Sequence, residues 1–432
     1  MSKKLIKELP ELVNAKIISE ETAEKIKIYF ASKSEKSSTN LVVVFGILGA
    51  ILAGLGIILI IAHNWDDYSK STKTVWSFIP LVIGQLACGY TLFRKRNNTA
   101  WIEGSSSFLF LAIGAGISLI SQIYHLPGNI SSLLFTWLFL GLPLVYIMRS
   151  SMASLLFIIG ATYYGCDVGY DVFDEPEIYT HWLMLLLVIP HYVMIYRKNS
   201  QSNFTLFHNW FIPVSVVIVL GTVAKNNANL MYISYLGLFI LCYLLGKQVF
   251  YQQKKNISKG YFVIGFLGAV TILMISSFRW FWEDISAIEW EWNNIAGTPE
   301  MLSIVILTLA SSIILVLRNR KFEFKNIDPV EWTFIIYIIV FIIGTSGILL
   351  PTVIINVLVF IIGVYIIRKG ALTNSLPVLN YGLLVITALI ICRFFDSDMS
   401  YVLRGILFLI VGAGFFVSNI WMVNKRKKTE HR

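Results

Sequence analysis

The chain has 432 residues, of which 56% are hydrophobic and 14% charged, where an ordinary soluble domain has roughly a quarter charged. With a mean hydropathy of +0.71, this excludes a disordered chain, a disulfide scaffold and a typical cytosolic enzyme, and the apolar residues fall in runs longer than a soluble core needs. The net charge of +10 does not call for a nucleic-acid partner, because its distribution follows the loops of a membrane protein.

Residues 1–38 are the only sizeable stretch outside the apolar runs. Leu5, Leu9, Leu12 and Val13 form one short apolar stripe, and Ala23, Ile26 and Phe30 form another at helical spacing. Ser19 is placed to cap the second helix, with Glu20 and Glu21 in its first turn. The pattern predicts a cytoplasmic helical hairpin, too small to hold a core of its own. It is expected to lie on the membrane; the alternative is a docking element for a protein partner.

A helix needs about 20 mostly apolar residues to cross the hydrocarbon layer. Such segments occur at 41–62, 74–93, 104–124, 131–148, 150–166, 181–196, 204–224, 230–250, 260–278, 301–317, 330–349, 351–367, 376–392 and 401–423. The expected fold is therefore an all-α integral membrane protein with about 14 transmembrane helices and both termini cytoplasmic. Lys and Arg collect in cytoplasmic loops, and this topology puts 29 of the 35 on that side. Acidic residues lean the other way, with Asp167, Asp171, Asp174, Glu175 and Glu177 in one outer loop and Glu283, Asp284, Glu289, Glu291 and Glu300 in another. The tail 424–432 holds Lys425, Arg426, Lys427 and Lys428, which would lie against anionic headgroups. No secretory signal peptide is expected, since the first apolar run is too long for an h-region.

Polar residues gather at the outer ends of the first and third spans. The first ends in His63, Asn64, Trp65 and Asp66, and the third in Gln122, Tyr124 and His125, with Asn129 just beyond. The strings GIILIIAHNWDD and GAGISLISQIYHLPGN, followed by W-x5-PL-x-Y from Trp137 to Tyr146, resemble the domain of unknown function 2157 family, uncharacterised polytopic bacterial membrane proteins. Residues 128–137 are similar to the G-D-Y-x-x-L-x-x-x-W signature of related membrane proteins, with Asn129 and Ile130 in place of the Asp and Tyr. The hairpin string IISEETAEKI fits the same family. The resemblance covers about residues 9–150 and implies a bacterial cytoplasmic (inner) membrane location, a four-helix membrane segment at 41–150 and no stated activity. Residues 151–423 supply the further membrane helices.

If the first and third spans pack together, His63, Asn64, Trp65, Asp66, Gln122, Tyr124, His125 and Asn129 converge on an outward-facing pocket for a small-molecule or lipid-linked ligand, because polar groups in a membrane are costly without a use. The competing reading is helix capping and headgroup anchoring. His191, after Pro190, is a further candidate for substrate or proton binding, and Pro213 is expected to interrupt its span. Arg393, Asp396, Asp398 and Arg404 read as ion pairs across a helical hairpin, and Trp280, Trp282, Trp290 and Trp292 as an interfacial helix lying flat. Cys88, Cys166, Cys242 and Cys392 are scattered, and no motif for a metal, a cofactor or a catalytic nucleophile is present. The leading functional reading is a translocator. A transferase or hydrolase acting on a lipid-linked substrate, with Asp66 or Asp67 as base, ranks second; a non-catalytic assembly or sensory subunit ranks third.

Overall fold

The computed structural model describes residues 67–171, 179–248, 259–290, 295–318, 328–373 and 375–396, with the turn 18–26 and isolated positions outside those stretches. The expected spans 41–62 and 401–423, most of the hairpin and the basic tail lie outside the described residues. Within the hairpin, Ser19 Oγ accepts the Thr22 N–H at 3.2 Å, which is the cap expected at the head of helix 20–26.

Among the described residues there is no strand. The helices are α1 (Lys70–Arg94), α2 (Thr99–Tyr124), α3 (Ile130–Ile147), α4 (Ser151–Asp171), α5 (Thr180–Lys198), α6 (Asn203–Leu220), α7 (Met231–Gln248), α8 (Gly260–Ile275), α9 (Arg279–Ser286), α10 (Pro299–Arg318), α11 (Pro329–Gly344), α12 (Leu349–Leu372) and α13 (Leu376–Asp396). Each of the other twelve expected spans coincides with one of them. Nine described helices are long and apolar enough to cross a membrane, and a tenth span arises if α8 and α9 count as one. Of the rest, α11 is a shorter apolar helix. The protein is a multi-helix membrane protein.

The chain forms two compact units, 1–129 with 139–153, and 130–138 with 154–432. In the first, α1 and α2 are antiparallel, with Thr91 Oγ1 donating to Ser105 Oγ at 3.2 Å near one end and Thr74 bonded to the Tyr124 hydroxyl at 3.0 Å near the other. Glu103, inside α2, accepts the Ser150 hydroxyl at 2.6 Å and the backbone N–H groups of Ser151 and Met152 at 3.1 and 2.8 Å. It satisfies donors that a helix start leaves without intrahelical partners.

In the second unit the pairings fix each helix's direction. Ser154 meets His208 and Thr162 meets Ser215, so α4 and α6 are parallel. His181 bonds Ala161, near the far end of α4, and Tyr192 bonds Asn209, so α5 runs the opposite way. A Cβ on Gly246 would strike the Phe262 nitrogen and one on Gly265 the Phe239 carbonyl and Tyr243 nitrogen, which makes α7 and α8 an antiparallel pair at backbone contact. Ser234 meets Ser303 at 2.6 Å and Ser311 donates to the Gly237 carbonyl at 3.2 Å, so α10 lies parallel to α7. Lys247 and Lys369 meet at Asp328, ahead of α11, and a Cβ on Gly370 would strike the Leu379 nitrogen, pairing α12 with α13. Within this unit, α4, α5 and α6 thus alternate in direction, as do α7 with α8 and α11 with α12.

Three features differ from the sequence expectation. Both α5 and α6 run unbroken through Pro190 and Pro213; the break falls instead at Ser276–Phe278, where α9 turns 75° from α8. The groups freed there are bonded: Trp282 Nε1 donates to the Ser276 carbonyl at 2.7 Å, Asn356 Nδ2 to the Ser277 carbonyl at 2.9 Å, and Ser276 pairs with the Tyr337 hydroxyl at 2.7 Å. Trp282 is fully buried against Tyr337 and Phe341, so it belongs to the core, whereas Trp280 is exposed as an interfacial residue would be. Asp167 sits within α4 and accepts the Ser131 hydroxyl. Glu300 likewise lies in the first turn of α10, fully buried.

Glu300 Oε1 accepts the N–H groups of Lys225, Asn226 and Asn227 at 2.7, 2.6 and 3.0 Å, anchoring the α6–α7 loop. Glu300→Ala strands those donors, each worth about 1–3 kcal/mol when left unsatisfied. We expect a marked fall in melting temperature in detergent, with Glu300→Gln falling less because its carbonyl oxygen can still accept.

Candidate functional site

Polar side chains within α4, α5, α6 and α8 meet in a buried seam. His208, Asn209, His191, His181 and Ser154 are all 0% exposed. At the level of the α6 start, His208 Nδ1 lies 2.8 Å from the Phe204 carbonyl. A carbonyl only accepts, so Nδ1 carries the proton and Nε2 accepts the Ser154 hydroxyl at 2.9 Å. The Tyr192 ring stacks on His208 with centroids 6.0 Å apart, and the His191 ring lies 6.2 Å from it. The Tyr192 hydroxyl donates to Asn209 Oδ1 at 2.6 Å and receives a hydrogen bond from Tyr261 of α8.

Further along, Thr162 Oγ1 donates to Ser215 Oγ at 2.7 Å. Beyond that, His181 Nδ1 lies 2.8 Å from the Ala161 carbonyl, which assigns its proton to Nδ1 by the same argument. His181 Nε2 is then a bare acceptor, buried and without a hydrogen-bond partner among the described residues. From Ser154 to Gly165, whose added Cβ would touch the His181 ring at 2.9 Å, α4 advances 11 residues, or about 16 Å. The seam is therefore about half as long as a hydrocarbon layer some 30 Å across is thick. Every side chain in it is uncharged in this hydrogen-bonded arrangement.

The buried charges lie at a helix end instead. Asp328 caps α11, accepting the Val330 N–H at 3.1 Å and the Tyr243 hydroxyl at 2.6 Å. Lys247 pairs with Asp328 and, at 2.7 Å, with Glu331, and Lys369 approaches Asp328 at 3.7 Å. Both carboxylates stand at the start of α11 and both lysines near the ends of α7 and α12, the signs that helix dipoles favour.

Of the residues singled out in the sequence, Gln122, Tyr124, His125 and Asn129 lie together at the end of α2, all exposed. There His125 takes a left-handed conformation (φ 50°) and its N–H turns back to Gln122 and Ser121, while Leu126 N–H reaches the Ser121 carbonyl at 3.0 Å. Their backbone terminates the helix. His63, Asn64, Trp65 and Asp66 lie outside the described residues. His191 belongs to the other unit, in the seam. Sequence reasoning missed His208, Asn209, Tyr192, Tyr261 and Ser154. The adjacent His208 and Asn209 inside an apolar run were the available signal; nothing local marks the tyrosines or Ser154.

Residues 10–154 match the family described as predicted membrane protein, DUF2157. No curated protein and no solved structure matches the chain. The match ends at Ser154, so apart from that residue the seam lies beyond the stretch that the family covers. The DUF2157 description carries no activity to set against the geometry.

The end cluster yields a pH prediction. Burial by itself would raise the Asp328 carboxyl; the Lys247 and Lys369 ammonium groups, with the hydrogen bonds from Lys247 and Tyr243, outweigh it and hold the group below its ordinary value. A depressed folded-state pKa contributes stability that is fully present above the unfolded value, about 3.9, and is lost as pH falls through the lower folded value. The melting temperature should therefore keep this contribution at neutral pH and lose it on acidification below about pH 4. Asp328→Asn should melt lower at neutral pH and lose less on acidification.

Proposed function

We propose that the protein is a translocator of the bacterial inner membrane, spanning it about fourteen times with both termini cytoplasmic, and that it carries a small polar solute through the seam of its second unit. One observation carries this reading: His208, Asn209, Tyr192, His191 and Tyr261 form a buried, uncharged, hydrogen-bonding surface between helices otherwise built of apolar residues. Polar groups at membrane depth are expensive and mark pathways more often than packing. His181 Nε2 adds a bare acceptor farther along, suited to a hydroxyl or amine hydrogen. Alternation of helix direction and the bias of Lys and Arg toward one set of loops support the topology.

The test is native mass spectrometry of protein extracted in mild detergent, comparing wild type with His208→Phe and Asn209→Leu, with Thr373→Ala as a control at a helix end. A co-purifying small solute should be retained by wild type and control and reduced about tenfold or more in the seam variants, one lost hydrogen bond to a buried partner being worth that much. Size-exclusion profiles and melting curves verify folding. Bare wild-type protein, or a solute held equally by every variant, removes the seam as the binding site.

A further inference from the structure

A crevice of about 540 Å³ lies between α7 and α8, away from the seam's hydrogen bonds, lined by Asn229, Tyr232, Tyr235, Phe239, Gly268 and Thr271 among others. Ligand sites commonly hold 300–1,000 Å³. Both walls belong to helices at membrane depth: 228–247 is apolar and long enough to span, and α8 spans together with α9. The crevice is graded in polarity. Asn229 stands at its entrance, ahead of α7, and the wall then descends through Tyr232 and Tyr235 to Phe239. The ten steps from Asn229 to Phe239 cover about 15 Å, the depth of one leaflet in a layer about 30 Å thick. On the facing wall Ile272 is shallow and Gly268 deep, because α8 runs antiparallel to α7. Gly268 keeps the deep end narrow: a Cβ there would strike the Phe239 ring.

The loop that leads into Asn229 carries one basic residue, four positions ahead of it. Loop 224–229 reads Ala-Lys-Asn-Asn-Ala-Asn, and Lys225 is the one basic residue between α6 and α7. Glu300 holds that loop by the N–H groups of residues 225–227, so the rim is fixed rather than left to the headgroup layer. Tyr235 keeps its ring in place by donating its hydroxyl to the Val217 carbonyl at 3.1 Å.

We propose that this crevice is a binding site for one phosphate-headed bilayer lipid, its chain lying between Tyr232, Tyr235 and Phe239 and its phosphate beside Lys225 and Asn229. A trough that passes from the Asn229 amide, through two tyrosines, to the Phe239 ring, with Lys225 four residues ahead of Asn229 in the chain, has the polarity of such a lipid along its length. The site is independent of the solute seam, and either assignment can fall alone.

The experiment uses the full chain in nanodiscs doped with phosphatidylglycerol bearing a diazirine on its acyl chain, with cross-linked peptides mapped by mass spectrometry. Labelling should concentrate on peptides 229–239 and 268–272. Thr271→Phe fills the crevice from an exposed wall position, and its melting curve verifies folding. It should lower that labelling at least about tenfold, as expected when several chain methylenes lose their contacts. Lys225→Gln should lower it about fivefold, the worth of one lysine beside an anionic headgroup. Labelling unchanged in Thr271→Phe, or spread equally over the exposed faces of α10 and α12, overturns the site as ordinary bilayer contact. An equal yield from a diazirine lipid with an uncharged headgroup overturns the phosphate assignment. Solute retention in Thr271→Phe, read by the same native mass spectrometry, separates this result from the fate of the seam.

Discussion

The structure depends on one constraint: in a bilayer core, a backbone or side-chain polar group must find its partner inside the protein, because no water is there to serve. Helices meet this along their length and fail at their ends, and carboxylates stand where they fail. Glu103 takes the hydroxyl and N–H groups at 150–152, Glu300 takes three N–H groups at 225–227, and Asp328 caps α11 while meeting two lysines. Acids that a charge count assigns to solvent-facing loops, Asp167 and Glu300 among them, are instead fasteners of helix ends.

The same constraint explains why the seam reads as it does. Charge is kept to the helix ends, and the groups between α4, α5, α6 and α8 are hydroxyls, an amide and imidazoles whose protons have a place to go. Phe204 and Ala161 offer carbonyls to the Nδ1 protons of His208 and His181. The carbonyl partners thereby choose the tautomer and leave each Nε2 as an acceptor. Ser154 occupies one of these and no described residue occupies the other. In the function proposed above, that open acceptor is where a neutral hydrogen-bond donor would be recognised.

Packing without a hydrophobic drive between helices needs close approach, and small residues supply it. Gly265 brings α8 against the α7 backbone and Gly370 brings α12 against α13. Where α8 ends, Ser276 and Ser277 break the span and the chain turns, yet the freed carbonyls are taken by Trp282 and Asn356. The buried indole joins Tyr337 and Phe341 in the core.

Much of the architecture was legible in the residues alone. Apolar runs of 16 to 23 residues dictate helices in lipid, Ser19 announces its cap, and the strings around Asp66, Gln122 and Trp137 carry the DUF2157 likeness, because each of these is a local property. His191 was visible for the same reason, as a titratable group in an apolar run. What no local pattern contains is which faces meet. Ser154 and His208 are 54 residues apart, Lys247 and Asp328 are 81 apart, and Pro190 and Pro213 leave their helices whole. Which polar residue is buried beside which, and so which of them can form a site, was decided by tertiary packing, since a hydrogen bond inside a membrane depends on the partner that arrives from another helix.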